Sequence, residues 1–427
     1  MRRGLDARIH IKIPTSPTPP TPPTIPTIPT PPMNKILFIF LSFAFLSCKD
    51  DEIPIEKYYQ GDNYQTILLY FPWSGNNDNH GLYKVIQHNI SEITKQIESE
   101  NGMDGTSFLC FSANKPDSAV LYKIKYNKRS LICDYDTLKI YGDFDYTTTE
   151  GIYQILNDVK LYATAPKYGM IMGCHGMGWT LKSSIFKVKR NYFGGITYDD
   201  ETDGSRTITD KYVTDISDFV EGVRNADINF EYIAFDDCYM ANVEVVYDIQ
   251  DITHYFIAST SEIVSRGLPY KDIFKYMVGN PDYEAVINGF YDFYSDYHSP
   301  YGALAAIDCY QINEMANIMK QINQNADLEQ LDINEVQKLD GYKPTIFYDF
   351  ANYVNNICQD QSLLQMFNNQ LKLLVPYAKT TPLLYSMQLG KAFQVNNFSG
   401  LTISEPSLNV LTTGYNQTNW YKATHNY

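Results

Sequence analysis

Tyr168-Gly169-Met170-Ile171-Met172-Gly173-Cys174-His175-Gly176-Met177-Gly178-Trp179 and Tyr232-Ile233-Ala234-Phe235-Asp236-Asp237-Cys238-Tyr239-Met240-Ala241-Asn242 share one pattern. Each is a short apolar run that breaks off at a reactive side chain, the signature of a buried parallel strand delivering a residue to the carboxyl edge of an α/β sheet. Ligands of open α/β sheets bind outside that edge, so strands ending at His175 and Cys238 would converge on one crevice although the residues lie far apart in the chain. The pair has the composition of a Cys-His catalytic site. A thiol attacks as thiolate, which a neighbouring imidazolium favours. Gly176 and Gly178 let the chain turn sharply beside a substrate, and the N–H groups of Gly176 and Cys238 are candidate oxyanion donors. Met240, Val243 and Tyr247 predict a helix over 239–251, whose positive end would assist the thiol. Asp236 and Asp237 act the other way, since negative charge raises a thiol pKa. Their presence suggests recognition of a basic substrate group. Cys174 precedes His175, and strand alternation turns it to the opposite face.

Outward from these motifs the chain alternates strand and helix. Strand-like runs are Thr66–Phe71, Thr106–Phe111, Val120–Tyr126, Leu138–Tyr141, Met170–Gly173, Tyr232–Phe235 and Tyr255–Ala258. Helical periodicity marks Gly81–Ser99, Gly151–Thr164, Ile208–Asn225 and, further on, Ile312–Gln324, Phe347–Ile357 and Ser362–Leu374. The tail from Gly400 to Tyr427 has strand and turn character. This order predicts an α/β fold with a mainly parallel sheet flanked by helices. No GxGxxG or GKS/GKT loop supports a nucleotide site. The net charge of −15, from 34 Lys and Arg against 49 Asp and Glu, argues against nucleic acid and suits cationic substrates.

At the His-Gly and Asp-x-Cys motifs the chain resembles the clostripain-like cysteine peptidases, which are related to caspases. Further family-like segments are Thr66-Ile67-Leu68-Leu69-Tyr70, Gly195-Ile196-Thr197-Tyr198-Asp199-Asp200, Ala258-Ser259-Thr260-Ser261-Glu262, Ala305-Ala306-Ile307-Asp308, Tyr348-Asp349-Phe350-Ala351 and Ser399-Gly400-Leu401-Thr402-Ile403. The resemblance runs over roughly residues 60 to 427 and implies a caspase/haemoglobinase-like core at 61–310 with a C-terminal accessory region at 311–427. It implies an endopeptidase acting on proteins or peptides, with Cys238 as nucleophile and His175 as proton carrier. Asp236 would sit at the pocket for the residue before the cut, favouring Arg or Lys there. Arg266 opposes that preference if it faces the pocket. Some relatives need calcium, which Asp199-Asp200-Glu201-Thr202-Asp203-Gly204 could ligate, although the run lacks EF-hand spacing and also reads as a solvated turn. The basic stretch 182–190 is where a self-activating cut would fall, or else a plain charged loop. The residues alone also admit an inactive surface binding protein or a Cys-His acyl hydrolase of non-peptide substrates.

Residues 1–32 are Pro/Thr-rich and extended in character, and we read them as preceding the true start at Met33. Met33-Asn34-Lys35, the apolar run Ile36 to Leu46 and then Ser47-Cys48 form a lipoprotein-type signal, too short to span a bilayer. Cys48 would then carry the lipid that anchors the chain to a membrane, with 49–60 as an acidic linker and an outer-membrane or cell-surface location. None of the other six cysteines forms a CxxC pair, so neither a zinc ribbon nor a disulfide framework is indicated.

Overall fold

Gln65–Phe71 (β1) is apolar at nearly every position because it runs through the middle of a sheet covered on both faces, and all seven of its residues are buried. The computed structural model describes residues 63–72, 82–115, 118–142, 144–181, 197–199, 207–209, 213–326, 328 and 331–425, all within the compact unit Pro54–Tyr427. The other strands are Thr106–Lys115 (β2), Ser118–Asn127 (β3), Ile132–Tyr141 (β4), Lys167–Met172 (β5), Thr197–Asp199 (β6), Thr207–Thr209 (β7), Phe230–Phe235 (β8), Thr253–Ala258 (β9), Ala303–Asp308 (β10), Tyr348–Asp349 (β11), Tyr377–Thr380 (β12), Leu383–Ser386 (β13), Lys391–Gln394 (β14) and Thr402–Ile403 (β15).

Nine strands form one sheet in the order β12-β10-β9-β8-β5-β1-β2-β3-β4. Its five middle strands, β2, β1, β5, β8 and β9, are parallel. Antiparallel strands extend it on either side, β3 and β4 at one and β10 and β12 at the other. The expected mainly parallel sheet with helices on both faces is therefore present. Strand alternation splits the interior in two. Leu68, Tyr70, Met170, Met172, Ile233 and Phe235 face the helices Thr149–Tyr162, Ile216–Asn225 and Val243–Ile249. Ile67, Leu69, Phe71, Ile171, Tyr232 and Ala234 face Tyr83–Ser99 and Tyr283–Asp296. Ile86, Ile90, Ile93 and Ile97 supply the buried stripe of the first of these.

Three expectations change. The predicted helix 208–225 begins only at Ile216; Thr207–Thr209 instead pairs with Thr197–Asp199, as β-branched residues favour. The helix expected over 239–251 spans Val243–Ile249. Tyr239 adopts φ 60°, and the N–H groups of Tyr239 and Ala241 donate to Ser261 and Ser259 carbonyls, which holds that stretch as a turn against the loop after β9. The tail, expected as strand and turn, also carries the helix Asn419–His425, pinned by fully buried Trp420. The region 311–427 is interleaved with the rest, since β12 joins the central sheet and Asn242 bridges to Thr402. Residues 1–60 with Cys48, the stretch 182–190 and residues 200–204 lie outside the described residues.

Glu244 ties this interleaving together. It is 1% exposed, and its Oε1 accepts from the Ser404 N–H at 2.9 Å. Burial pushes its carboxyl up to about 8 from the ordinary 4.5. The fold thus binds this proton more tightly than the unfolded chain does, so stability falls as pH rises from 4.5 toward 8. Thermal unfolding should give a melting temperature that declines from pH 5 to pH 8, and Glu244→Gln should reduce the slope and melt higher than the parent at pH 8. Asp237 and Asp340, pushed up to about 8 and about 7 by burial, keep part of the slope in the variant.

Candidate active site

The register of β5 against β8 sets the geometry. Met172 pairs with Phe235, so the two strands end level. The Asp236 N–H then donates to the Met172 carbonyl at 2.7 Å, and the Gly173 N–H to that of Tyr70 at 3.2 Å. His175 and Cys238 each follow three residues later, and both line one cavity of about 230 Å³. Gly176 lies directly against the carbonyl of Cys238, where an added Cβ would be 2.3 Å from that oxygen. Only glycine permits this approach of the two loops.

Strand alternation continues past the strand ends. Cys174 and Asp237 turn to one face and bond to each other: the Cys174 N–H donates to Asp237 Oδ1, and the thiol to Oδ2 at 3.3 Å. His175 and Asp236 turn toward the cavity. The expectation that both aspartates await a basic group therefore changes for Asp237, which is 1% exposed and holds the His175 loop to the Cys238 loop.

Of the six described cysteines, Cys238 alone is partly exposed. Its Sγ accepts from the Ile263 N–H at 3.3 Å. Burial pushes the thiol up to about 12, reinforced by Glu262, Asp237 and Asp236, and only the Ile263 N–H pulls it down. Burial likewise pushes His175 down to about 4. Burial thus works against both the thiolate and the imidazolium that the sequence suggests. The expected helix dipole is also missing at the thiol, because the following helix starts at Val243.

Asp236 lines the cavity together with Phe71, Leu82, Val85 and Ile86. Its Oδ1 accepts from the Leu268 N–H at 2.8 Å, and its Oδ2 from Tyr270 O–H at 3.0 Å and Asn89 Nδ2 at 3.2 Å. Gly267, at φ 70°, allows this loop in; its Cβ would lie 2.6 Å from Asp236 Oδ2. Burial pushes the carboxyl up to about 6, against the pull of Tyr270, Leu268 and Arg266. Arg266 does not line the cavity; its Nη2 lies 2.6 Å from both oxygens of Glu92.

Sequence reasoning missed several cavity residues. Asn89 interrupts the Ile86, Ile90, Ile93 stripe with a buried polar group, a signal that was available. Tyr342, Met387 and Gln388 come from the C-terminal region. Glu262 fastens the Met387 segment, accepting from Tyr239 O–H at 2.7 Å, Ser386 O–H at 3.1 Å and the Met387 N–H at 2.9 Å, and Tyr342 O–H reaches Met177 Sδ at 3.2 Å. No group of three or more His, Cys, Asp or Glu among the described residues is disposed to hold a metal ion.

The clostripain family profile matches residues 73–422. The chain belongs to the clostripain family. It is a cysteine peptidase with the caspase-like arrangement of sheet and helices. A secreted C11 cysteine protease of Bacteroides thetaiotaomicron, "iotapain", is 38% identical, covering 86% of this chain and 100% of its own, with a TM-score of 0.77. A clostripain from Bacteroides thetaiotaomicron, solved with the peptide inhibitor BTN-VLTK-AOMK, is 43% identical over 51% of this chain and 97% of its own, with a TM-score of 0.50. An inactive zymogen C11 protease of Parabacteroides distasonis shares the fold at 23% identity, covering 86% of this chain and 99% of its own, with a TM-score of 0.71. No curated protein sequence matches the chain significantly.

The Asp237 clamp has a measurable consequence. Asp237→Asn sets an amide against the donors of Cys174, so kcat for peptide hydrolysis should fall by about tenfold to a hundredfold with little change in KM. Gly176→Ala should reduce kcat at least as far, because its methyl group must displace the Cys238 carbonyl.

Proposed function

We propose that this clostripain-family peptidase is an endopeptidase that cuts after Lys or Arg through a Cys238–His175 dyad. The observation carrying the proposal is that His175, Cys238 and Asp236 line one cavity, together with the apolar Phe71, Leu82, Val85 and Ile86. The apolar wall suits the aliphatic stem of a basic side chain and the carboxylate suits its head. The inhibitor peptide VLTK of the 43%-identical relative ends in Lys, which supports the same reading.

Because burial favours the neutral thiol and imidazole, His175 takes the Cys238 proton as Sγ attacks the scissile carbonyl. The N–H groups of Gly176 and Cys238 hold the oxyanion. His175 then protonates the leaving amine as the carbon–nitrogen bond breaks, leaving a thioester on Cys238. Water, deprotonated by His175, hydrolyses the thioester and restores the thiol. Cys238→Ala should abolish turnover of Lys and Arg peptides in a fluorogenic assay that also offers Ala and Asp before the cut. Turnover that persists in the variant overturns the nucleophile, and thiol-dependent turnover without a basic preference overturns the role of Asp236.

Asp236 must be ionised to attract a cation. With its carboxyl pushed up to about 6, kcat/KM for basic peptides should fall as pH drops through about 6. A peptide with Ala before the cut should lack this limb, as should Asp236→Asn with any peptide. The neutral dyad predicts that iodoacetamide labelling of the resting thiol climbs steadily from pH 6 to pH 9, whereas a preformed ion pair would give a plateau.

The chain is further proposed to be exported and held to a membrane by lipid on Cys48. The support is the signal-like run from Met33 to Cys48, together with relatives described as secreted. Labelled palmitate should enter the full chain and not Cys48→Ala.

A further inference from the structure

Asp236, Asn89, Arg266 and Glu92 form a continuous chain of contacts at the cavity base. Asn89 is 3% exposed and has both amide atoms engaged: Nδ2 donates to Asp236 Oδ2, and Oδ1 accepts from Arg266 Nη1 at 3.4 Å. The Arg266 guanidinium is held from behind by Glu92 and lies 5.5 Å from the centre of the Phe293 ring. Its side chain is 15% exposed and that of Glu92 is 11% exposed, so this positive charge is fixed within one side chain of the Asp236 carboxylate. His88, on the same helix, also reaches Glu92, at 3.2 Å.

A carboxylate offers about four acceptor positions. Tyr270 and Asn89 occupy Oδ2, and Leu268 occupies one position on Oδ1, which leaves a single position, on Oδ1. The neighbouring amide oxygen of Asn89 has one of its two acceptor positions taken by Arg266, whose positive charge lies beside the other. A lysine ammonium can use one acceptor as a point charge, whereas a guanidinium is bound best by two parallel bonds to both oxygens of a carboxylate. Arg266 also repels any second guanidinium that reaches for Asn89.

We propose that the Asp236 pocket selects lysine over arginine in the residue before the cut, and that Arg266, held by Glu92 and acting through Asn89, is the specificity-determining residue. This inference rests on the basic-pocket reading above. It assigns to the enzyme protein or peptide substrates with accessible lysines. Removing the guanidinium opens the second acceptor position of the Asn89 oxygen and lifts the repulsion, so arginine, which needs two acceptors, gains more than lysine.

The test compares kcat/KM for paired peptides that differ only in Lys, Arg or Ala before the scissile bond. The full-length parent, Arg266→Gln and the double variant Glu92→Gln/Arg266→Gln are assayed together. The parent should favour Lys over Arg by about tenfold or more. Both variants should narrow that ratio to about threefold or less through a gain on Arg peptides, with Ala peptides unchanged. A structural role alone would lower all three peptides together. Equal use of Lys and Arg by the parent, or a preference for Arg, overturns the selection. A ratio unchanged in both variants overturns the role of Arg266, and the double variant guards against misfolding caused by an unpaired Glu92. Thiol-dependent turnover of Ala peptides with no basic preference in the parent would instead overturn the underlying pocket reading.

Discussion

The site depends on the pairing of Met172 with Phe235, which brings two parallel strands to an end at one height. Once that register is fixed, alternation decides the destination of every following side chain. It turns Cys174 and Asp237 toward each other on one face, and His175 and Asp236 toward the cavity on the other. A slip of one residue in either strand would exchange these sets. The shared register is held by the sheet hydrogen bonds, by the Asp237 clamp and by Gly176 lodged on the Cys238 carbonyl.

Much of the architecture was legible because it follows from local pattern. The middle strands read as unbroken apolar runs since both faces are covered, and the helix Tyr83–Ser99 reads from its isoleucine stripe. The segment after Cys238 was not legible. Its spacing fits a helix, yet its N–H groups are spent on Ser259 and Ser261, a pairing that arises only when the loop after β9 folds beside it. Asp236-Asp237 reads as a doublet of like charges, although continuing the strand alternation by two residues separates the pair onto opposite faces. Tyr342, Met387 and Gln388 carry no local signal, because their position depends on distant bonds, Met387 and Ser386 to Glu262 and Tyr342 O–H to Met177.

The electrostatics are set by burial more than by any single neighbour. Burial disfavours both the thiolate of Cys238 and the imidazolium of His175, and so opposes charge separation there. Asp236 meets the same penalty but is given three hydrogen-bond donors and a fixed guanidinium nearby, which return part of its acidity. The two halves of the cavity are thus prepared differently, one for a proton in motion and the other for a standing charge.

Glu262 also imposes an order on assembly. The strands that carry His175 and Cys238 leave the ribosome well before the residues that complete their cavity, since Tyr342, Met387 and Gln388 lie far downstream and β12 closes that side of the sheet. These contacts span long stretches of chain, and loop-closure entropy makes them late to form. A nascent chain therefore holds His175 and Cys238 on an unfinished sheet. The cleft becomes whole only when the last part of the polypeptide is in hand, so a chain cut short before Gln388 lacks a finished cavity.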